Sequence, residues 1–289
     1  MKFPWPALAF AVLLAGGAVV RSQAQADAGI RPALADVAYG TAAAQRFDLY
    51  APMRPHGAPT IFFVHGGGWA FGDKSTGLGA KARHWTEAGA FVVSVNYRML
   101  PEADPQMQAR DVASALAHAQ TVVAQAGGDP DAFVLMGHSA GGHLVALLDA
   151  SPALAREAGA RAWRGSVLLD AGSVDVVATM QSTRGRLPLF RNAFGDDPAF
   201  WRSVSPIHQL AARGAPVLGV CASGRAESCD DNRAFLDKAA GFGTPTRLLP
   251  EPLNHMRINR DLGEDNAYTR EVDAFLHSVG GLPPPHAHP

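Results

Sequence analysis

Short, continuous apolar runs alternate along this chain with longer alanine-rich stretches, and this alternation restricts the fold more than any other feature. Five runs are uncharged and rich in β-branched or aromatic residues, as expected of strands that are buried on both faces of a parallel sheet. These runs are 60–64, 91–95, 133–136, 166–169 and 216–220. The stretches 77–88, 106–126, 141–150 and 230–241 are long enough for crossover helices. The order predicts a doubly wound α/β domain.

Weaker patterns lie at either end of this alternation. Runs around 37–40 and 46–50 predict an antiparallel edge, and the run 246–249 precedes a predicted helix at 266–279. The segment 173–208 does not fit the alternation, because its aromatic residues are scattered among glycine, aspartate and proline. We expect this segment to form a small irregular cap, or lid, inserted into the domain.

Composition excludes two classes of protein. The 25 Lys+Arg residues are balanced by 26 Asp+Glu residues, whereas a nucleic-acid-binding protein needs a surplus of positive charge. Apolar residues form 47% of the chain and charged residues only 18%, which excludes a disordered protein. The first parallel strand is not followed by Gly-x-Gly-x-x-Gly, so a dinucleotide-binding dehydrogenase is also disfavoured.

The N-terminus has the pattern of a secretory signal peptide. Lys2 precedes an uncharged apolar run at 7–20, and Ala24-Gln25-Ala26 provides a small-x-small cleavage site. A run of this length is too short to span a bilayer as a helix. We expect cleavage after Ala26, a secreted or periplasmic mature protein with no membrane span, and a folded domain at 27–279. An uncleaved anchor is the alternative.

The predicted export gives the two cysteines an oxidising compartment. Cys221 and Cys229 can pair if the chain between them folds back, which Gly224 permits. The alternative is a buried thiol at Cys221 and an idle thiol at Cys229. Beyond the domain, the proline-rich segment 280–289 predicts a disordered tail that provides no metal site.

The segment Gly137-His138-Ser139-Ala140-Gly141 follows the strand 133–136 directly and opens an alanine- and leucine-rich helix. A serine on such a strand-to-helix turn is exposed above the sheet, and flanking glycines relieve crowding around it. The helix N-terminus provides positive potential, and the Ala140 amide points to the position where an oxyanion would form. These features predict that Ser139 is a nucleophile.

A second motif, His65-Gly66-Gly67-Gly68-Trp69, follows the strand 60–64. Consecutive glycines let backbone amides approach a ligand closely, as an oxyanion hole requires. We expect Gly67 and Gly68 to donate there and His65 to have a structural role.

Together, His65–Trp69, Asn96-Tyr97-Arg98 with Asp111, and the extended motif Gly137–Gly142 resemble the α/β-hydrolase superfamily, and within it the small carboxylesterase and lipase-like branch. The similarity runs from about residue 46 to residue 277. It implies an eight-stranded, mostly parallel sheet with helices on both faces. It also implies a Ser-acid-His triad in that chain order, a small-molecule ester substrate, and no metal or organic cofactor.

The chain order implied by this resemblance points to His255 as the base, because it lies in the loop after the strand 246–249. His277 falls on the terminal helix, and His208 precedes the expected acid. We expect His138, beside the nucleophile, to point away from it. His286 and His288 lie in the tail.

The acid is less well defined. Related esterases carry an aspartate soon after the strand that here is 216–220, but this chain has Glu227 in the corresponding loop, and Glu227 is the expected acid. A longer carboxylate can still orient an imidazole. The alternatives are Asp170, after the preceding strand, and the pair Asp230 and Asp231, which would more naturally cap a helix starting there.

These residues predict an exported serine carboxylesterase that acts on short-chain or aryl esters through an acyl-enzyme. Trp69 and Trp201 are expected to line an apolar substrate pocket. An amidase such as an arylformamidase uses the same residue types, and a feruloyl or acetyl-xylan esterase would also suit an exported protein. A catalytically inactive binding protein with this fold is a further alternative. The sequence predicts no particular oligomeric state.

Overall fold

The structure is a computed structural model that describes residues 30–283, in which eight strands form one sheet. The strands are β1 (Leu34–Ala38), β2 (Arg46–Tyr50), β3 (Thr60–Val64), β4 (Phe91–Val95), β5 (Phe133–His138), β6 (Gly165–Leu169), β7 (Val217–Ala222) and β8 (Thr246–Glu251). Their order in the sheet is β1-β2-β4-β3-β5-β6-β7-β8. Strand β2 pairs antiparallel with β1 and β4, and the other neighbours are parallel. The predicted mostly parallel α/β sheet with an antiparallel edge is confirmed.

Helices connect the strands. The longer ones are α1 (Gly79–Glu87), α2 (Pro105–Gln125), α3 (Ala140–Ala150), α9 (Ala226–Gly241) and α11 (Ala267–Ser278). The shorter ones are α4 (Pro152–Glu157), α5 (Val176–Gln181), α6 (Pro188–Phe194), α7 (Pro198–Ser203), α8 (Pro206–Gln209) and α10 (His255–Arg260), with a 3₁₀ turn at Thr183–Arg186.

Strand β3 shows why the central strands read as uninterrupted apolar runs. Its five residues are all buried, but they alternate between two cores. Phe62 and Val64 pack in one core with α2, α3 and α9, whereas Ile61 and Phe63 pack in the other with α1 and α11. Because successive side chains of a strand point to opposite faces, a strand covered on both faces needs apolar residues at every position.

The sheet brings the sequence motifs together at one edge. Strands β3, β5 and β6 are neighbours, and Val64 lies beside Gly137, which begins the nucleophile motif. His138 in turn lies beside Leu169, the last residue of β6. The residues that follow these three parallel strands therefore meet at their carboxyl ends, where α/β proteins build their sites.

The segment 173–208 is helical, so the expectation of an irregular cap is wrong. It contains α5, α6, α7, the start of α8 at Pro206 and the 3₁₀ turn. Pro188 and Pro198 occupy first-turn positions, and Asp175 and Asp197 cap α5 and α7 through the N–H groups of Ala178 and Ala199. These are ordinary helix-start signals, but each helix is too short to show an apolar period.

The tail prediction is wrong for residues 280–283. Leu282 is buried in the core that contains α11, and Gly281 N–H donates to the Leu276 carbonyl over 2.8 Å. The rest of the tail, 284–289, and the predicted signal peptide, 1–26, lie outside the described residues. Within 30–283, no helix combines the length and the apolar character needed to cross a membrane.

Candidate active site

Ser139 lies in the turn between β5 and α3, in a backbone conformation with φ 54° and ψ −118° that is rare for a residue with a side chain. Its N–H donates to the Leu169 carbonyl, and its own carbonyl accepts from the N–H groups of His143 and Gly172, each over 3.0 Å. A strained turn persists only where its surroundings hold it in place, and these three hydrogen bonds do so.

Two glycines allow close approaches around this turn. A Cβ atom on Gly141 would lie 2.2 Å from the carbonyl oxygen of Val64, so any side chain would push α3 away from β3. Gly67 has φ +125°, and a Cβ atom there would lie 1.8 Å from the carbonyl oxygen of Phe71. Both positions therefore require glycine.

Ser139, His255 and Asp170 form a hydrogen-bonded chain. Oγ of Ser139 lies 2.9 Å from Nε2 of His255, and Nδ1 of His255 lies 2.5 Å from Oδ2 of Asp170. Ser139 precedes α3, Asp170 follows β6, and His255 begins α10. Asn254 caps α10 by accepting from the Arg257 N–H over 2.9 Å, which fixes the backbone beside His255.

The protonation of this chain follows from the surroundings of Asp170. Its fully buried side chain would by burial alone have a raised pKa, but hydrogen bonds from His255, Ser228 and the Ala222 amide outweigh burial and lower the pKa to about 2. An ionised carboxylate only accepts hydrogen bonds, so His255 carries its proton on Nδ1. Nε2 of His255 is then free to accept the hydroxyl proton of Ser139.

The expectation that Glu227 is the acid is wrong. Glu227 lies in the first turn of α9, where its side chain is 56% exposed and its carboxylate lies 3.9 Å from Nε of Arg225. Asp170 takes the position against His255. It can do so because β6 is the direct neighbour of the nucleophile strand β5, whereas β7 lies one strand further away.

The other two acid candidates also lie away from His255. Helix α9 begins at Ala226, so Asp230 and Asp231 are inside it and do not cap it as expected. Asp231 accepts from Nη1 of Arg184 over 3.0 Å, and Asp230 lies 3.9 Å from Nη1 of Arg233.

His138 lies against His255, contrary to the expectation that it points away from the site. The two ring centroids are 4.6 Å apart, and Nε2 of His138 donates to the His255 carbonyl over 2.9 Å. Burial, followed by the neighbouring His255, lowers the pKa of His138 to about 3. The neutral ring therefore holds the backbone of His255 without placing a charge beside it.

The loop His65–Trp69, hereafter the glycine loop, has donors available. Across residues 30–283, no acceptor is bonded to the N–H of Gly67 or Gly68, and both residues line the same cavity as Ser139. Ala140 is the first residue of α3, where N–H groups have no intrahelical acceptor. The structure thus brings the three expected oxyanion donors to one region.

His65 has the structural role expected of it. Its Nδ1 donates to the Gly66 carbonyl over 2.7 Å, and its ring stacks on Tyr97 with centroids 4.6 Å apart. Burial lowers the pKa of His65, so the ring is neutral.

The two tryptophans differ in position. Trp69 lines the cavity, although it is only 2% exposed and its indole N–H donates to Nδ1 of His143 over 3.2 Å. Trp201 is not among the residues that line this cavity. Its indole N–H donates to the carbonyls of Phe194 and Gly195. The cavity wall therefore includes Trp69 but not Trp201, whose contact with substrate stays a prediction.

A cavity of about 700 Å³ opens beside Ser139 and His255. This volume is in the range of sites for small organic molecules. Much of its wall is apolar. The apolar residues follow the glycine loop, belong to α10, or lie in and just before α6. These apolar residues are Phe71, Met256, Leu187, Leu189 and Phe190.

A signal for the acid was present in the sequence, because Asp170 follows the buried run 166–169 at the sheet edge that holds Ser139. Two further residues of the site were not foreseen. Nη1 of Arg225 lies 3.0 Å from Oδ2 of Asp170, and the Ser228 hydroxyl donates to Oδ1. Neither residue belongs to a motif, and only the folded chain shows these contacts.

Comparison with known proteins identifies the family of this chain. A family model described as BD-FAE matches residues 47–222, which is more than half of the chain. The chain belongs to the BD-FAE family. The match includes the glycine loop, Ser139 and Asp170 of this BD-FAE protein, and it ends at the last residue of β7.

Curated relatives are similar over shorter stretches. A probable isoprenylcysteine alpha-carbonyl methylesterase from Oryza sativa subsp. japonica is 35% identical over 117 residues, which cover 40% of this chain and 28% of that protein. Carboxylesterase NlhH from Mycobacterium tuberculosis is 34% identical over 110 residues, which cover 38% of this chain and 34% of that protein. The BD-FAE protein thus matches about a third or less of the length of these relatives.

Solved structures match over most of the chain. Esterase B from Lactobacillus Rhamnosis superposes with a TM-score of 0.73 at 20% identity, covering 92% of this chain and 91% of that one. Thermogutta terrifontis esterase 2 superposes with a TM-score of 0.71 at 22% identity, covering 88% and 98%. At these identities the likeness concerns the fold, and the BD-FAE protein has the α/β-hydrolase fold that the sequence predicted.

Proposed function

We propose that this BD-FAE protein is a serine hydrolase of carboxylic esters. The observation that carries the proposal is the hydrogen-bonded chain from Ser139 through His255 to Asp170 at the mouth of a cavity that Gly67 and Gly68 also line. Nucleophile, base, orienting acid and oxyanion donors are the parts that acyl transfer requires.

Each part has a step in the reaction. Ser139 Oγ attacks the ester carbonyl while Nε2 of His255 takes its proton, and Asp170 stabilises the imidazolium through the Nδ1 proton. The amides of Gly67, Gly68 and Ala140 donate to the oxyanion. The tetrahedral intermediate collapses to an acyl-enzyme as the alcohol leaves with the proton from His255. Water then attacks the acyl group by the same route and releases the acid.

The cavity favours esters with an apolar or aryl group. Four large apolar side chains on its wall are exposed to solvent, namely Phe71, Met256, Leu187 and Leu189. Exposed apolar side chains grouped around one opening are typical of a binding site, because a ligand covers them. The charged residues on the wall include both signs, with Arg184 paired to Asp231 over 3.0 Å, so a strongly charged substrate is not favoured.

A substrate panel tests this proposal. We expect the purified protein to hydrolyse p-nitrophenyl acetate and butyrate, and methyl ferulate if an aryl acid fits the cavity. The Ser139→Ala variant should lose at least about 10³-fold of the ester rate. Ester rates that are equal in both proteins, or absent from a folded wild type, would overturn it. Faster turnover of N-formylkynurenine than of every ester would indicate an amidase instead.

We further propose that the protein is exported. The signal-peptide pattern of residues 1–26 and the joined pair Cys221–Cys229 both support this, since disulfides persist outside the reducing cytoplasm. N-terminal sequencing of the protein from the culture medium or periplasm should start at Asp27. Intact protein recovered only from the cytoplasm would contradict it.

A further inference from the structure

Asp170 is held mainly by the last residue of β7 and by residues that follow it. Its Oδ1 accepts from the Ala222 N–H over 3.0 Å and from the Ser228 hydroxyl. Its Oδ2 accepts from Nη1 of Arg225 over 3.0 Å, in addition to Nδ1 of His255. Three of these four donors therefore come from residues 222–228, hereafter the acid-binding segment.

Local bonds give the acid-binding segment a defined shape. A disulfide joins Cys221 and Cys229, the residues on either side of it. The Arg225 N–H donates to the Ala222 carbonyl over 2.9 Å, and the Ser228 N–H donates to the Arg225 carbonyl over 3.0 Å. The donors to Asp170 are thus fixed by bonds that do not involve the active-site histidine.

These donors affect chemistry as well as position. Hydrogen bonds and a nearby cation stabilise the ionised carboxylate, so less of its charge is available to stabilise a protonated imidazole. Arg225 acts on the same oxygen, Oδ2, that His255 contacts. Removing its charge should therefore make His255 more basic.

Several other ionisable groups surround the pair formed by Asp170 and His255. The His138 ring from β5 lies against the His255 ring at a tilt of 36°, and Lys81 from α1 interacts electrostatically with His138. Glu227 of α9 lines the Ser139 cavity, and Tyr268 of α11 interacts electrostatically with Asp170. On the outer side, Arg257 and Arg260 of α10 line a shallow pocket with Arg225. Among these cations, Arg225 is the one whose side chain bonds to Asp170.

We propose that the acid-binding segment is a positioning element for Asp170, in which Ser228 orients the carboxylate and Arg225 sets the pH above which His255 works as a base. This inference rests on the proposed ester hydrolysis for its kinetic readout. Both residues line the cavity beside Ser139, but the side chain of each bonds to Asp170, and the proposed role of each is exerted through that bond.

Charge variants at Arg225 test the second half of the proposal. In Arg225→Gln the acid limb of the kcat/KM profile should move upward by about 0.5–1 pH unit, a partial effect because the guanidinium is partly exposed. Arg225→Lys keeps the charge and should stay near the wild-type profile. Arg233→Gln, which removes an exposed arginine elsewhere on α9, is the matched control and should also coincide with wild type.

An NMR titration of the His255 ring, recorded without substrate, separates this proposal from the proposed function. The pKa of His255 should rise in Arg225→Gln even if the esters chosen are poor substrates. An unchanged His255 titration would overturn the role of Arg225 while leaving ester hydrolysis intact. If the wild type showed no ester turnover that depends on Ser139, the proposed function would be overturned, but the NMR result on Arg225 would still hold.

Ser228→Ala tests the first half. Its kcat should fall about tenfold or more with little change in KM, because a misplaced acid affects the transition state rather than ground-state binding. The acid limb should move upward as for Arg225→Gln. Ser114→Ala, which removes an exposed hydroxyl on α2, is the control. A folded Ser228→Ala protein with wild-type kcat and pH profile would overturn the orienting role of Ser228.

Discussion

Oδ2 of Asp170 lies 2.5 Å from Nδ1 of His255, although Asp170 follows β6 and the expected acid, Glu227, follows β7. The end of β7 and the residues after it instead provide donors to Asp170, namely Ala222, Arg225 and Ser228. The carboxylate and its supporting donors therefore come from two neighbouring strand ends.

Asp170→Asn should lower kcat by about 10³- to 10⁴-fold, because an amide in place of the carboxylate no longer stabilises the imidazolium and can favour the wrong tautomer. Glu227→Gln, the comparison variant, should change the rate by less than about tenfold, since its carboxylate does not contact His255. The kcat values of both variants can be compared on p-nitrophenyl butyrate. A larger loss of kcat in Glu227→Gln than in Asp170→Asn would contradict the assignment of Asp170 as the acid.

The meeting of Ser139 and His255 could be predicted from sequence because local signals place each residue. Ser139 lies between a continuous apolar strand and a helix, and His255 follows the last strand. The acid could not, because Asp170 and Glu227 both follow buried strands. What separates them is the order of β5, β6 and β7 in the sheet and the side-chain contacts of each, and these depend on contacts distant in sequence.

The cap illustrates a different limit. The segment 173–208 carries helix-start signals, but its helices have four to seven residues each and show no repeating apolar face. Likewise, Leu282 packs in the core although prolines follow it directly. Burial of such short elements depends on the surface they meet, which sequence patterns do not reveal.

Leu189→Ala should widen the site. A Cβ atom on Gly68 would lie 2.3 Å from Cδ1 of Leu189, so this leucine lies directly over the glycine loop. The ratio of kcat/KM for p-nitrophenyl octanoate to that for butyrate should rise by about three- to tenfold, as expected for an apolar chain gaining contact area. Leu34→Ala removes an equally exposed leucine on β1 and should leave the ratio unchanged. A ratio unaffected in Leu189→Ala would contradict this role.

Deprotonation of the buried Asp149 carboxyl should lower the stability of the protein as the pH rises. Burial raises its pKa to about 7, even though Ser166 and Trp163 donate to it. Because the folded protein holds this proton more tightly than the unfolded chain, the contribution to stability is present at acidic pH and is lost between about pH 4 and pH 7.

Asp149→Asn removes that titration. From pH 4.5 to pH 8, its free energy of unfolding relative to wild type should increase by about 3 kcal/mol, measured by urea denaturation. Asp131→Asn, at an exposed aspartate, should show no such trend. A constant difference between Asp149→Asn and wild type at all pH values would contradict the prediction.

The disulfide should matter for both stability and rate. Unreduced protein should show no free thiol, since the chain's two cysteines are joined. Reduction should lower the free energy of unfolding by about 2–3 kcal/mol, as for a short closed loop. It should also lower kcat, because it frees the segment that holds Asp170. Two titratable thiols before reduction, or identical unfolding curves and rates after it, would contradict this view.

Covalent labelling tests the central claim most directly. A fluorophosphonate forms a bond from phosphorus to a serine oxygen and releases fluoride, and only an activated serine reacts rapidly. Mass spectrometry should find one adduct per chain, on the peptide that contains Ser139, with no adduct in Ser139→Ala and strongly slowed labelling in His255→Ala. A folded wild-type protein that remains unmodified, or that is labelled at another serine, would contradict the account.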